Sequence, residues 1–184
     1  MTAIGVFCGA RDGVLAEYRE AAIRLVDEMV SQGITLVYGG GNRGLMGTIA
    51  ERALSRGGKV IGVMPRQLME MEIGHHGLSE FHVVDSMYER KKMLTELSDA
   101  FVTLPGGIGT LDELFEEMAL IQTGFHVKPL ALLNTCHYYD HLLNFLEHAR
   151  SQGYINSRWL EALIVREEPG ALVRELLSSH LQGS

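Results

Sequence analysis

The sequence predicts an α/β fold, a single Rossmann-like, doubly wound, mostly parallel sheet with helices on both faces. Three observations lead there. Strand and helix signals alternate along the whole of the 184 residues, the pattern of a parallel sheet built from strand–helix–strand units. The strand runs are nearly all apolar, as strands covered on both faces must be. Glycines cluster where strand runs give way to helices, which marks special turns rather than disorder. The length suits one domain over 1–184, and a hydrophobic content of 46% is enough to fill its core.

Taken in order, Ile4–Cys8 is a short apolar strand ending at Gly9. Leu15–Gln32 has helical spacing through Ala22, Leu25, Val26 and Met29, and Gly33 stops it. Thr35–Tyr38 is the second strand and Leu45–Leu54 the second helix, broken by Gly57 and Gly58. Lys59–Met64 is the third strand, ended by Pro65. Residues 65–80, with Glu70, Glu72, His75, His76 and two glycines, read as a loop with room for a short helix. Phe81–Val84 follows as a short strand, then helix Ser86–Leu97, strand Ala100–Leu104, helix Thr110–Thr123 and strand Pro129–Leu133. Tyr138–Gln152 is a helix, Leu163–Val165 a last strand, and Pro169–Leu181 a last helix with proline in its first turn.

In a parallel sheet every loop that leaves a strand for a helix lies at the same edge, and ligands bind there. Gly9–Gly13, Gly39–Gly44, the segment from Pro65, Asp85–Arg90 and Pro105–Thr110 are therefore expected at one mouth.

Charge narrows the ligand. The net charge is −7, with 16 Lys and Arg against 23 Asp and Glu and no long basic run, so duplex nucleic acid is not an expected partner. A small phosphorylated ligand stays compatible, because backbone amides hold phosphate without net positive charge. Cys8 and Cys136 form no metal-spaced or redox pair. No signal-like segment or apolar run of transmembrane length is present, which leaves no membrane partner and the cytoplasm as the expected compartment.

Two glycine loops carry the chemistry. Pro105-Gly106-Gly107-Ile108-Gly109-Thr110 follows a strand and opens a helix. Its glycines let the backbone approach an anion, and the helix start supplies free amides and a positive dipole end. It reads as a phosphate cradle or as a tight turn that binds nothing. Gly39-Gly40-Gly41-Asn42-Arg43-Gly44 formally matches G-x-G-x-x-G, but it follows the second strand, and no acidic residue closes the next strand to hold a ribose. A nicotinamide cofactor is disfavoured on that ground. No G-x-x-x-x-G-K-[ST] sequence occurs, so the chain is not a Walker A nucleoside triphosphatase.

Thr110-Leu111-Asp112-Glu113 matches a capping box, in which Glu113 would only tie off its own helix. The other reading is a carboxylate one turn from a phosphate cradle, able to reach a ribose. Ser86-Met87-Tyr88-Glu89 is a second capping box, and Arg90 follows it. Arg90 either clamps a phosphate or oxyanion at the mouth or belongs to a solvated basic patch with Lys91 and Lys92. His137, His141 and His148 share a helix face, but Tyr138 occupies the glutamate place of H-E-x-x-H, and no metal site is expected there or at His75 and His76. Cys8 reads as packing, and the methionines as core filler with a few left over for an apolar base pocket.

Tyr38-Gly39-Gly40-Gly41, Gly44-Leu45-Met46-Gly47, Met87 with Glu89-Arg90-Lys91, and Leu104-Pro105-Gly106-Gly107-Ile108-Gly109-Thr110-Leu111-Asp112-Glu113 together resemble the Lonely guy family. These are cytokinin riboside 5′-monophosphate phosphoribohydrolases, often mislabelled lysine decarboxylases, with the pattern P-G-G-x-G-T-x-x-E. The similarity runs from about Ile4 to Ile155. It implies catalytic roles for Arg90 and Glu113. It also implies that Gly40, Gly41, Lys91, Gly106, Gly107, Ile108, Gly109 and Thr110 bind substrate or its phosphate, and that Glu72 matches a substrate-contact position. It implies a nucleoside monophosphate substrate (AMP or prenylated AMP), no metal or organic cofactor, and a homodimer. Tyr88, Ile108, Ala119 and Gly9-Ala10-Arg11 depart from residues frequent in the family, which bears on base preference more than on reaction type. Three rivals stand beside this: a non-catalytic nucleotide or molybdenum-cofactor carrier of similar fold, a nicotinamide oxidoreductase, and a lysine decarboxylase.

Overall fold

A computed structural model describes residues 1–69, 74–75 and 77–182. Seven strands, β1 (Ala3–Phe7), β2 (Thr35–Tyr38), β3 (Val60–Pro65), β4 (Glu80–Val84), β5 (Ala100–Thr103), β6 (Leu130–Leu133) and β7 (Ile164–Arg166), form one sheet. The order is β4-β3-β2-β1-β5-β6-β7, and every pairing is parallel. Between them run helices α1 (Ala16–Ser31), α2 (Gly44–Ser55), α3 (Arg66–Met69), α4 (Met87–Leu97), α5 (Ile108–Gln122), α6 (Asp140–Ser151), α7 (Ser157–Glu161) and α8 (Pro169–Gln182). None of the described helices is long and apolar enough to cross a membrane.

Alternate strand residues serve opposite faces. Ile4, Val6, Leu36 and Val102 pack with Leu25 and Ile49 of α1 and α2 and Leu172 of α8. Phe7, Val37 and Phe101 pack with Leu94 and Leu114 of α4 and α5. Both faces of the central strands are thus covered, which is why these are almost wholly apolar, whereas edge strands β4 and β7 carry Glu80, His82 and Arg166.

The chain builds outward from β1 to β4, then crosses to the other side of β1 to add β5, β6 and β7. The sense of winding reverses between β1 and β5, so the loops after these two strands diverge and open a crevice at the carboxyl edge. Gly9 N–H bonds Pro105 O at 3.1 Å and ties the two loops together at that point.

Three features differ from the sequence reading. Helix α5 begins at Ile108, not at Thr110, with Gly107 as its cap in extended conformation and no capping side chain. Thr110 is therefore inside the helix, and the box with Glu113 is not formed. Helix α6 starts at Asp140 rather than Tyr138. A 3₁₀ turn over Thr135–His137 precedes it, and Cys136 and His137 are left-handed there (φ 52° and 58°). Helix α7 was not expected; Asn156 caps it by accepting from Arg158 N–H at 3.0 Å. By contrast half of the Ser86 box is present: Ser86 Oγ accepts from Glu89 N–H, while the Glu89 carboxylate reaches one residue further back and accepts from Asp85 N–H.

Candidate active site

Because α4 is capped at Ser86, Arg90 lies one turn in, on the helix face turned toward the sheet. Its side chain is buried. Nε donates to the Val63 carbonyl of β3 at 3.2 Å. Nη2 runs over Gly39, where a Cβ would stand 2.1 Å away. That contact gives one glycine of the second loop its reason: any side chain there would displace the guanidinium. Of the two basic neighbours of Arg90 only Lys92 is solvated, and Lys91 is largely covered by ion pairs to α5. Lys91 pairs with Glu116 and, at 3.3 Å, with Asp112, and Lys92 sits 3.8 Å from Glu96.

Glu113 lies on the second turn of α5, and its carboxylate meets Arg90 Nη1 at 3.1 Å. The pair is buried, with 9% and 8% of each residue exposed. Burial pushes the Glu113 carboxyl up to about 7, and the neighbouring Arg90 charge works against that rise. The result is a carboxyl that titrates near neutrality beside a permanent cation. Cys8, at the end of β1, is raised by burial and by the Glu113 charge, so it is a thiol and not a nucleophile.

The pair forms the floor of a cavity of about 490 Å³. One wall is Gly106, Gly107, Gly109 and Thr110, the uncapped start of α5, where free amides face an incoming group. Gly106 must be glycine, since a Cβ would fall 2.1 Å from Thr110 Oγ1. The loop after β1, Gly9–Gly13, supplies a second wall, with Arg11 at its rim. Leu45, Met46, Leu68 and Met87 give an apolar side, and Tyr18 and Tyr138 close the remainder.

Other candidates lie elsewhere. Ile108 is 83% exposed and outside the cavity wall, as is Lys91. Gly40 and Gly41 do not line the cavity; Gly40 packs against Phe81 and Met64, its carbonyl accepts from His75 N–H at 3.1 Å, and Gly41 bridges Gly74. Glu72 and His76 lie outside the described residues. Among the described residues no three His, Cys, Asp or Glu side chains gather as metal ligands. Tyr138 and Tyr18 escaped the sequence reading. The rule that brings five loops to one mouth also applies to the loop after β6, which carries Tyr138, but the helical spacing there reads Tyr138 as the first residue of a helix.

One turn past Glu113 is a second buried carboxylate, Glu117. Thr95 Oγ1 donates to it at 2.5 Å, and His126 Nε2 lies 2.9 Å away. Lys128 Nζ donates to Thr95 O close by at 2.6 Å. Burial raises Glu117 to about 7 and lowers His126, so both groups are driven toward their neutral forms.

The family model described as "Possible lysine decarboxylase" matches residues 46–176. The probable cytokinin riboside 5′-monophosphate phosphoribohydrolase LOGL9 of Oryza sativa subsp. japonica is 44% identical over 93% of this chain and 75% of its own length. The cytokinin riboside 5′-monophosphate phosphoribohydrolase of Rhodococcoides fascians is 44% identical over 88% of this chain and 82% of its own. Among solved structures, the molybdenum cofactor binding protein of Rippkaea orientalis superposes with a TM-score of 0.72 at 22% identity, covering 98% of this chain and 97% of that one; that likeness is one of fold alone. On the two sequence matches, which span most of the chain, this protein belongs to the Lonely guy family of cytokinin riboside 5′-monophosphate phosphoribohydrolases.

Proposed function

We propose that the chain hydrolyses the N-glycosidic bond of a cytokinin or adenine nucleoside 5′-monophosphate, giving free base and ribose 5-phosphate. The observation that carries this is the buried Arg90–Glu113 pair at the floor of a cavity whose wall is the open start of α5. The 5′-phosphate is received by the amides of Gly107–Thr110, which places the ribose over the pair. As the bond from C1′ to the base nitrogen breaks, positive charge builds on the ribose. Glu113, as the carboxylate, offsets that charge. Water supplies the oxygen that joins C1′, and its proton balances the departing base. Arg90 holds the carboxylate in place and keeps a cation within reach of the phosphate and the leaving group. The apolar side formed by Met46, Met87, Leu45 and Leu68 suits a flat base. In this reading the enzyme is a cytoplasmic homodimer that needs no metal or organic cofactor.

The decarboxylase description finds little footing in the lysines. Lys59 pairs with Glu80 at 2.6 Å, Lys91 and Lys92 are held as above, Lys128 is engaged at Thr95, and none lines the cavity. Such a reaction needs a lysine free to carry a cofactor. A nicotinamide oxidoreductase would need an acidic ribose anchor at the end of β3, where Met64 and Pro65 stand.

The test is product analysis. Purified protein is incubated with AMP, isopentenyl-AMP, CMP and GMP, and the products are separated by chromatography. Base and ribose 5-phosphate from the adenine nucleotides, lost in Arg90→Ala, are the expected result. Tight binding with no release from any nucleotide would assign the chain to the carrier reading instead. Light scattering of the same sample reads the oligomer.

A further inference from the structure

Three successive carbonyls in the connection from β5 to α5 are each held by a donor from a different place. Leu104 O accepts from the Tyr139 hydroxyl at 2.6 Å. Pro105 O accepts from Gly9 N–H at 3.1 Å. Gly106 O accepts from the Tyr138 hydroxyl at 2.6 Å. A peptide is planar and trans, so its carbonyl and its N–H point opposite ways. Fixing the Gly106 carbonyl therefore fixes the direction of the Gly107 amide.

This matters because Gly106-Gly107 has little of its own to hold it. Glycine peptides rotate freely, and a rotation here would turn a carbonyl lone pair toward the space that a phosphate must enter. The Tyr138 hydroxyl occupies that lone pair and opposes the rotation. Its position is itself enforced. Cys136 and His137, two consecutive non-glycine residues in left-handed conformation, bring it there, a geometry that persists only where the surroundings hold it. They do so through Asn134, whose Oδ1 accepts from Tyr139 N–H at 2.7 Å and whose Nδ2 donates to Asp140 at 2.8 Å. Edge-on contacts with Tyr18 and Tyr139 fix the ring. Unlike Tyr139, which is buried, Tyr138 is 41% exposed and lines the cavity.

We infer that Tyr138 is a positioning residue for phosphate: its hydroxyl locks the Gly106-Gly107 peptide with the carbonyl masked and the amide presented. The inference rests on the nucleotide reading above and deepens it.

Tyr138→Phe keeps the ring and removes only the hydroxyl. KM for AMP is expected to rise about 10-fold with kcat changed much less, the mark of lost ground-state binding. Binding of ribose 5-phosphate, measured by calorimetry, weakens by a similar factor, while adenosine, which has no phosphate, binds as before. Tyr139→Phe removes an equivalent bond outside the cavity; it lowers the melting temperature without that split. The inference is overturned if Tyr138→Phe leaves both the KM for AMP and the ribose 5-phosphate affinity within about twofold of wild type. It is also overturned if adenosine weakens as much as AMP, which would make Tyr138 a wall for the base. A wild-type protein that neither binds nor cleaves any nucleotide overturns the functional reading itself, and this inference with it.

Discussion

Glu113 and Glu117 sit one turn apart on α5, are both buried, and are both pushed up to about 7 by that burial. Their settings differ. Glu113 faces a cavity and a guanidinium fixed by Val63 O. Glu117 is closed in by a hydroxyl and an imidazole, Thr95 and His126, which satisfy it in place. An upward shift alone therefore does not mark a functional carboxylate. An open cavity and a guanidinium in direct contact set Glu113, the carboxylate proposed to act on the ligand, apart from Glu117, which pins Thr95 of α4 and the segment before β6 to α5.

The sharpest way to break this comparison is to remove each carboxylate charge in turn. Glu113→Gln is expected to lower kcat by roughly 10³-fold while nucleotide binding persists; wild-type turnover in that variant would remove Glu113 from the chemistry. Arg90→Ala leaves Glu113 buried without its partner. It should cost roughly 3 kcal/mol of stability by denaturant titration, along with turnover. Gly39→Ala works at one remove, since the added Cβ would lie 2.1 Å from Arg90 Nη2. A fall of about 10-fold or more in kcat/KM is expected, because small displacements of catalytic groups are costly. Glu117→Gln keeps the acceptor for Thr95 and should leave turnover within about threefold of wild type, with a destabilisation of about 1 kcal/mol. A large loss of turnover there would erase the distinction.

The pH dependence sharpens the same contrast. Both carboxyls have folded values near 7 against ordinary values of 4.5, so between those limits the fold binds more protons than the unfolded chain. The stability they contribute is complete below about pH 4.5 and is lost as pH rises through about 7. Either Gln substitution should flatten the fall in denaturation midpoint between about pH 5 and about pH 8. Turnover should behave differently. With Glu113 acting as carboxylate, kcat/KM of the wild type rises with pH through about 7, and Glu117→Gln keeps that profile. A profile that falls over the same range would give Glu113 the proton-donor role.

Much of the fold was legible because its signals are local. Apolar runs, helical spacing and glycine stops located all seven strands and most helices within a residue or two. The short α7 escaped, since one turn leaves almost no periodic trace. The end effects were harder. Thr110 and Glu113 satisfy the capping pattern in sequence, but Gly107 starts the helix earlier, and only the packing of Thr110 beneath Gly106 reveals it. Arg90 and Lys91 look alike as neighbours; one points to the sheet and the other to Glu116, a difference set by where Ser86 caps α4. The tie between Gly39 and Arg90 spans two loops, and the left-handed Cys136-His137 turn that delivers Tyr138 has no glycine to announce it.

The crossover from β4 to β5 has a consequence for the order of events on the ribosome. Arg90 arrives with the outward-built half of the sheet and Glu113 with the half laid down on the other side of β1, where Ile4 must pair with Ala100. Until that long-range pairing is made, neither the pair nor the crevice exists. A half-folded chain thus lacks the assembled pair, and regain of turnover after dilution from denaturant reports when β1 and β5 have met.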